Sequence, residues 1–308
     1  MRAITINDYS APISMSNVER PELKGDSLLI AVSAASINPI DNILRSGDMK
    51  GPLPLTFPHV MGFDVSGVVA AVGKGVRGFE VGDHVFSRPS REDAGAIADF
   101  ARVKESEVSL KPRNLSHAEA AAVPLACLTA WQALITEGQL GKGDKVLIHA
   151  GSGGVGTFAI QIAKHVGAHV ATTVGARNIE LAESLGADVV IDYEAQSFDE
   201  MLSDYDLVFD MIGGETMARS FKVLKKGGTL ISIKGKDEDG LADKHGVRFK
   251  FLWMSPDGGM LAEIGALIEQ GVIKPVVDAV FSMDEAAAAY ERLAEGHAVG
   301  KIVVRIDA

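Results

Sequence analysis

The sequence predicts an α/β protein in which a β-rich N-terminal part precedes a doubly wound parallel sheet. Three observations carry that expectation. Residues 1–115 are short apolar runs divided by turn signals about every 10 residues, the pattern of a β-rich module. From Asp144 onward, strand-like and helix-like segments alternate, which argues for a parallel sheet with helices on both faces. A glycine-rich turn, Gly151-Ser152-Gly153-Gly154-Val155-Gly156, joins the first of those strands to the first helix.

The elements follow in order. Leu28–Val32 is a compact apolar strand after the turn pair Gly25-Asp26. Val65–Val72 is another, interrupted by Gly67 and closed by Gly73-Lys74-Gly75. Ser116 and Glu119 form a capping box, in which each side chain satisfies an orphan backbone N–H of the other residue. The alanine-rich stretch Ala118–Thr136 is helical, and Pro124 is expected to kink or split it. Strands are expected at Lys145–Ala150, His169–Val174, Val189–Ile191, Leu207–Asp210 and Gly228–Ile233, with helices at Gly154–Val166 and Ile179–Leu185. Ser282 and Glu285 form a second capping box opening Ala286–Glu295, and Ile302–Val304 is a closing strand.

Composition narrows the function. Of 308 residues, 47% are apolar and 23% charged, as expected of a folded globular chain. The formal net charge of −11 disfavours a nucleic-acid or anionic-membrane binder, which needs a basic patch. No run of about 18 apolar residues suggests a membrane span. Met1-Arg2-Ala3-Ile4 has no apolar leader region, so a cytoplasmic protein is expected. The single cysteine, Cys127, excludes an internal disulfide and any multi-cysteine zinc site.

The chemistry is clearest at the glycine-rich turn. Gly151, Gly153 and Gly156 give G-x-G-x-x-G after a strand and before a helix, the context a dinucleotide site requires. Gly151 is expected to allow a tight turn, Gly153 to let a pyrophosphate approach the backbone, and Gly156 to allow close helix–strand packing. The helix N-terminus adds free N–H groups and the positive end of a dipole. NAD sites usually place an acid at the end of the second strand, but here Thr172-Thr173-Val174-Gly175-Ala176-Arg177 precedes the first acid, Glu180. Two hydroxyls and a guanidinium suit a 2′-phosphate, so the expected cofactor is NADPH.

Further segments carry a family likeness: Asn38-Pro39-Ile40-Asp41, Gly62-Phe63-Asp64-Val65-Ser66-Gly67, Val81-Gly82-Asp83-His84-Val85, Leu128-Thr129-Ala130-Trp131, Asp210-Met211-Ile212-Gly213-Gly214 and Gly300-Lys301-Ile302-Val303. Together with the glycine turn, they resemble the medium-chain dehydrogenase/reductase superfamily, in its zinc-free quinone oxidoreductase or ζ-crystallin-like branch. The resemblance implies a GroES-like β-rich catalytic domain at 1–122 and a Rossmann domain at 123–255. It implies that 256–308 return to the catalytic domain, that the active site lies in the cleft between the domains, and that the protein is a homodimer. In zinc-dependent relatives a cysteine and a histidine bind the metal; the matching positions here are Asn38 and Phe63, with Asp64 adjacent, so no metal site is expected.

By the same resemblance, Asn38 lies near the nicotinamide and orients it or the substrate oxygen. Asp41 is either part of that site or a local backbone cap. Ser152, Gly153, Gly154 and Val155 are expected at the pyrophosphate, and Thr173, Gly175 and Arg177 at the adenosine phosphate. Tyr193 is expected beside the adenine end. Thr129, Ile212, Ser232, Ile233, Phe251 and Leu252 are expected elsewhere along the cofactor, with Phe251, Leu252 and Trp253 equally readable as core. Relatives carry tyrosines shortly after the Asn-Pro-x-Asp motif; residues 42–49 hold none, which leaves Arg45, Lys50 or water to supply the proton or stabilise an oxyanion.

Without a Lewis acid, alcohol oxidation is disfavoured and a conjugated carbonyl is the easier acceptor. The expected activity is therefore an NADPH-dependent oxidoreductase that reduces small-molecule quinones or α,β-unsaturated carbonyls. The alternatives are an NADPH-binding protein with little turnover, in a ζ-crystallin-like role, or an enoyl reductase. A zinc alcohol dehydrogenase is a weaker third reading.

Overall fold

The computed structural model describes residues 1–93 and 95–306. The chain divides into two compact units, residues 1–128 with 255–308 and residues 129–254. No helix among the described residues is long and apolar enough to cross a membrane.

The first unit is built around the strand Ser27–Ile37, which is buried along almost its whole length. It pairs antiparallel with Asp64–Val72, with Lys301–Arg305 at one end and with Phe100–Lys104 at the other. The seven-stranded sheet runs Val277–Ser282, Lys301–Arg305, Ser27–Ile37, Asp64–Val72, His84–Ser87, Val108–Leu110, with Phe100–Lys104 off that path. A separate three-stranded sheet joins Ser14–Asn17, Arg2–Ile6 and His59–Val60. One face of the large sheet packs a core of Ile6, Leu28, Ile30, Val65 and Val304; the other packs Ala34 and Val303 on the helix His117–Ala121. Ile37 stands opposite Ile302, and Ser36 opposite Asp64. That register brings Asn38, Asp64 and Lys301 to the same sheet end from three distant parts of the sequence.

Local signals read from the sequence are realised here. Ser116 Oγ accepts from Glu119 N–H, and the Glu119 carboxylate accepts from Ser116 N–H. Pro124 splits the alanine-rich stretch into His117–Ala121 and Pro124–Trp131, followed by a π-helical turn at Gln132–Glu137. The segment after Ser255 supplies the helix Gly258–Glu269, whose first glycine lies against the strand Val108–Leu110: a Cβ there would meet Val108 O at 2.5 Å.

The second unit holds a six-stranded, wholly parallel sheet. Across the sheet the strands are Val189–Asp192, His169–Val174, Lys145–Ile148, Tyr205–Asp210, Leu224–Ser232 and Arg248–Phe251. In chain order this is 3-2-1-4-5-6, the doubly wound arrangement whose ligands bind outside the carboxyl ends of the strands where the order reverses. Arg248–Phe251 is an edge strand that the sequence reading leaves unassigned.

Candidate functional site

The glycine turn leaves Lys145–Ile148 at the reversal point and enters the helix Gly154–His165. Its three glycines have different physical reasons. A Cβ on Gly151 would sit 2.1 Å from Thr172 Oγ1, and one on Gly156 would sit 2.2 Å from Ala150 O, so the fold itself forbids side chains there. Gly151 is thus a packing glycine rather than a turn glycine; the left-handed conformation falls on Ala150, with φ 55°. Gly153 is different. Its backbone is extended, and a Cβ would meet only Ala150 O at 3.3 Å. The protein barely needs glycine at 153; a ligand pressed against the backbone would. Gly153 caps the helix with no side-chain bond to the first-turn N–H groups, which leaves them as anion donors. Gly154 and Val155 belong to that first turn, so the residues present fit a pyrophosphate.

Residues expected at the adenosine end stand at the carboxyl ends of the next two strands. Asn178 Nδ2 donates to Ser152 Oγ at 3.0 Å, tying the loop after His169–Val174 to the glycine turn. The Tyr193 ring lies over Gly175, its hydroxyl 3.5 Å from where a Cβ would stand. Arg177 is exposed beside them. Thr173 corrects the sequence reading. It is buried, and Thr172 hydrogen-bonds inward to Ile148 O, so neither hydroxyl faces a phosphate. A strand covered on both faces buries both sets of side chains.

Thr173 instead belongs to a network under the turn. His149 is buried; its Nδ1 lies 3.0 Å from Thr173 Oγ1, and its Nε2 lies 2.8 Å from Ser220 Oγ. Ser220 donates to Thr216 O, so it accepts from His149 Nε2–H. Thr173 accepts from Ala150 N–H and donates to His149 Nδ1. The ring is therefore neutral, and burial holds its pKa down at about 4. The network braces Ala150, the residue in left-handed conformation.

Asp210 does the equivalent work across the reversal point. Its carboxylate accepts from Ile212 N–H and Gly213 N–H and from Ser232 Oγ. The Ser232 hydroxyl also accepts from Lys234 and Gly235 N–H, so Ser232 shapes the loop from a buried position rather than presenting a side chain to a cofactor. Ile233 follows it at the strand end. Of nine exposed large apolar side chains among the described residues, four (Tyr193, Ile212, Phe251 and Trp253) lie at these carboxyl ends. Phe251 and Trp253 are thus surface residues, not core; Leu252 between them is half-buried. Thr129 is buried in Pro124–Trp131.

In the first unit, Asn38 precedes the helix Pro39–Ser46 and is itself buried. Asp41 accepts from Asn38 N–H at 2.7 Å, which closes the helix start. Burial pushes the Asp41 carboxyl up to about 7, with the neighbouring Asp64 adding to the rise. The Asn38 amide turns away from its own helix: Nδ2 donates to Asp64 Oδ2 at 2.9 Å, and Oδ1 accepts from Lys301 Nζ. Lys301 also donates to Ile37 O at 3.0 Å and lies 3.4 Å from Asp64 Oδ2. Asp64 accepts further from Ser36 Oγ and Leu125 N–H. Arg45 stands outside these bonds. Its Nε donates to Ala11 O, and with Ser10, Asn42, Ser46 and Ala294 it lines a hollow of about 340 Å³. The expectation that Arg45 serves the same centre as Asn38 is not met.

Sequence reasoning missed five contributors: Lys301, Asp64, His149, Asn178 and Asp210. Three of them sit within motifs already conspicuous in the chain, but their partners are remote. A zinc ion does not fit the residues present. Phe63 has no ligand atom, and the Arg88 guanidinium lies 4.9 Å above its ring. Asp64 already faces an ammonium.

Known proteins resemble this chain throughout its length. Residues 24–113 match the alcohol dehydrogenase GroES-like domain family, and residues 185–304 match a family described as zinc-binding dehydrogenase. The 2-methylene-furan-3-one reductase of Solanum lycopersicum is 38% identical, over 99% of this chain and 79% of its own. The chloroplastic NADPH-dependent alkenal/one oxidoreductase of Arabidopsis thaliana is 37% identical, over 99% and 79%. The solved quinone oxidoreductase of Coxiella burnetii superposes with a TM-score of 0.93 at 32% identity, covering 100% of this chain and 99% of that one.

Proposed function

This chain belongs to the quinone oxidoreductase branch of the medium-chain dehydrogenase/reductase superfamily, and from that premise we propose that it reduces α,β-unsaturated carbonyls or quinones with NADPH. The observation that carries the reading is Gly153: a helix cap that the fold would let carry a side chain remains bare beside unclaimed N–H groups. Bound NADPH would supply the hydride. Ser152, Gly153, Gly154 and Val155 hold its pyrophosphate; Gly175, Arg177 and Tyr193 hold the phosphorylated adenosine end. Ile212, Ile233, Phe251 and Leu252 border the remainder, and Thr129 contacts it from its own helix. Thr173 and Ser232 act from beneath.

Hydride addition to the β-carbon of an enone places negative charge on the carbonyl oxygen. A positioned N–H stabilises that charge in a site of low polarity. Asn38 supplies it in this reading, and Asp41 fixes the Asn38 backbone. We also propose a cytoplasmic homodimer. The dimer rests on the family; for the location, a single buried thiol supports a reducing compartment, of which the cytoplasm is one. Sedimentation and cell fractionation test the two.

An acceptor panel of naphthoquinones, benzoquinones, short enones and alkenals tests the activity, read as loss of NADPH absorbance. Turnover of at least one enone or quinone is expected. Tight NADPH binding with no oxidation across the panel would favour a binding role instead, and one zinc per purified chain would overturn the metal-free reading.

A further inference from the structure

Lys301 is the least expected charge in the first unit. It is 4% exposed, and its ammonium hydrogens meet three acceptors: Ile37 O, Asn38 Oδ1 and Asp64 Oδ2. Burial lowers its pKa, and the charges of Asp64 and Asp41 work against that. A buried ammonium is costly unless it is fully hydrogen-bonded, as it is here.

The arrangement fixes one amide. An asparagine side chain has two orientations that exchange oxygen for nitrogen. An ammonium can only donate, and an ionised carboxylate can only accept. With Lys301 on one side and Asp64 on the other, the Asn38 oxygen must face Lys301 and its nitrogen must face Asp64. One amide hydrogen is spent on Asp64 Oδ2; among the described residues, the other has no partner. A cation on the amide oxygen also draws electron density from the nitrogen, which strengthens that remaining N–H as a donor.

We propose that Lys301 is a positioning residue that orients and polarises Asn38 so that its free N–H meets the substrate oxygen. This rests on the proposed reductase activity. Lys301 touches neither cofactor nor substrate; it acts through Asn38. Its position follows from register, because pairing of Ile302 with Ile37 sets Lys301 beside Asn38. Gly300 fixes the entry to that strand on its other side: its φ is 77°, and a Cβ would stand 2.2 Å from Val276 O.

The test is a double-mutant cycle on the full-length protein, with NADPH and the best enone or quinone from the panel. Asn38→Ala should lower kcat by about 100-fold, the usual loss for one oxyanion donor. Lys301→Met should lower kcat by at least tenfold, on the order of a weakened donor of that kind. Its NADPH affinity should stay within about twofold, since Lys301 is not in the nucleotide-binding unit. In the Asn38→Ala background, Lys301→Met should then cost less than about twofold more, because a residue acting through Asn38 has nothing left to act on. Losses that multiply in the double variant would overturn the inference.

Lys301→Met alone leaves Asp64 unpaired and can unfold the unit. Asp64→Asn with Lys301→Met removes both charges together, which is often tolerated. That pair should fold and show the same loss of kcat; wild-type kcat in the folded pair would equally overturn the inference. If the unaltered protein turns over no acceptor, the reductase reading itself falls, an outcome distinct from an active enzyme whose cycle is additive.

Discussion

At the scale of single residues, the glycine turn separates what the fold needs from what a ligand needs. Gly151→Ala drives a methyl group to 2.1 Å from a buried threonine hydroxyl, and overpacking of that kind costs about 1–3 kcal/mol. Gly153→Ala adds a methyl at 3.3 Å from one carbonyl, a strain the turn can nearly absorb. We therefore expect Gly151→Ala to lower the melting temperature. Gly153→Ala should leave it almost unchanged while weakening NADPH at least tenfold, on the order of losing close backbone contact with the pyrophosphate. Melting curves with and without NADPH check both; equal melting shifts would mean that Gly153 is structural too. In the proposed reading Arg177 carries the cofactor distinction alone, since both threonine hydroxyls point inward. Arg177→Glu should weaken NADPH far more than NADH, by titration of intrinsic fluorescence. A variant that loses both equally would place Arg177 away from the 2′-phosphate.

At the scale of elements, strands hold the loops that follow them. Thr173 is the hinge of one such link: it accepts from Ala150 N–H and donates to His149. Thr173→Val keeps the shape but strands one buried and one half-buried polar group, at a cost of about 1–3 kcal/mol. It should also weaken NADPH, because Ala150 loses its brace; calorimetry and cofactor titration read the two effects. The same network shows where sequence reading stops. The glycine motif, both capping boxes and the break at Pro124 are legible because each involves residues within a few positions. Thr172 and Thr173 are not legible in that way, because two adjacent hydroxyls look available until both faces of their strand are covered. Arg248–Phe251 alternates charge with aromatic and sits at a sheet edge, so it lacks the continuous apolar run of a central strand. Lys301 and Asp64 are 237 positions apart, and only antiparallel register brings them together.

At the scale of the whole molecule, buried titratable groups set how the fold responds to acid. His59, His117 and His149 each have a folded pKa lowered to about 4, all chiefly by burial; Arg91 adds to the effect at His59 and Lys111 at His117. An unfolded histidine titrates near 6.5, roughly its ordinary value. Between pH 6.5 and 4 the unfolded chain therefore holds protons that the folded chain does not, and stability falls as pH drops through that window. Asp41 acts the other way. Its folded pKa is about 7, well above the unfolded value near 3.8, so the folded chain holds the extra proton in the same window, and this contribution is lost as pH rises through 7. His117 is half exposed, and solvent screening reduces its share. One buried histidine and two half-buried ones outweigh one carboxyl, so the melting temperature should decline from pH 6.5 to 4. Asp41→Asn removes the opposing group while keeping the side chain's size, and its profile should fall more steeply than that of the unaltered protein. A flat profile would show that the histidines are not held neutral. A shallower one for Asp41→Asn would show that Asp41 is ionised in the folded protein at neutral pH, with Lys301 rather than burial governing its charge.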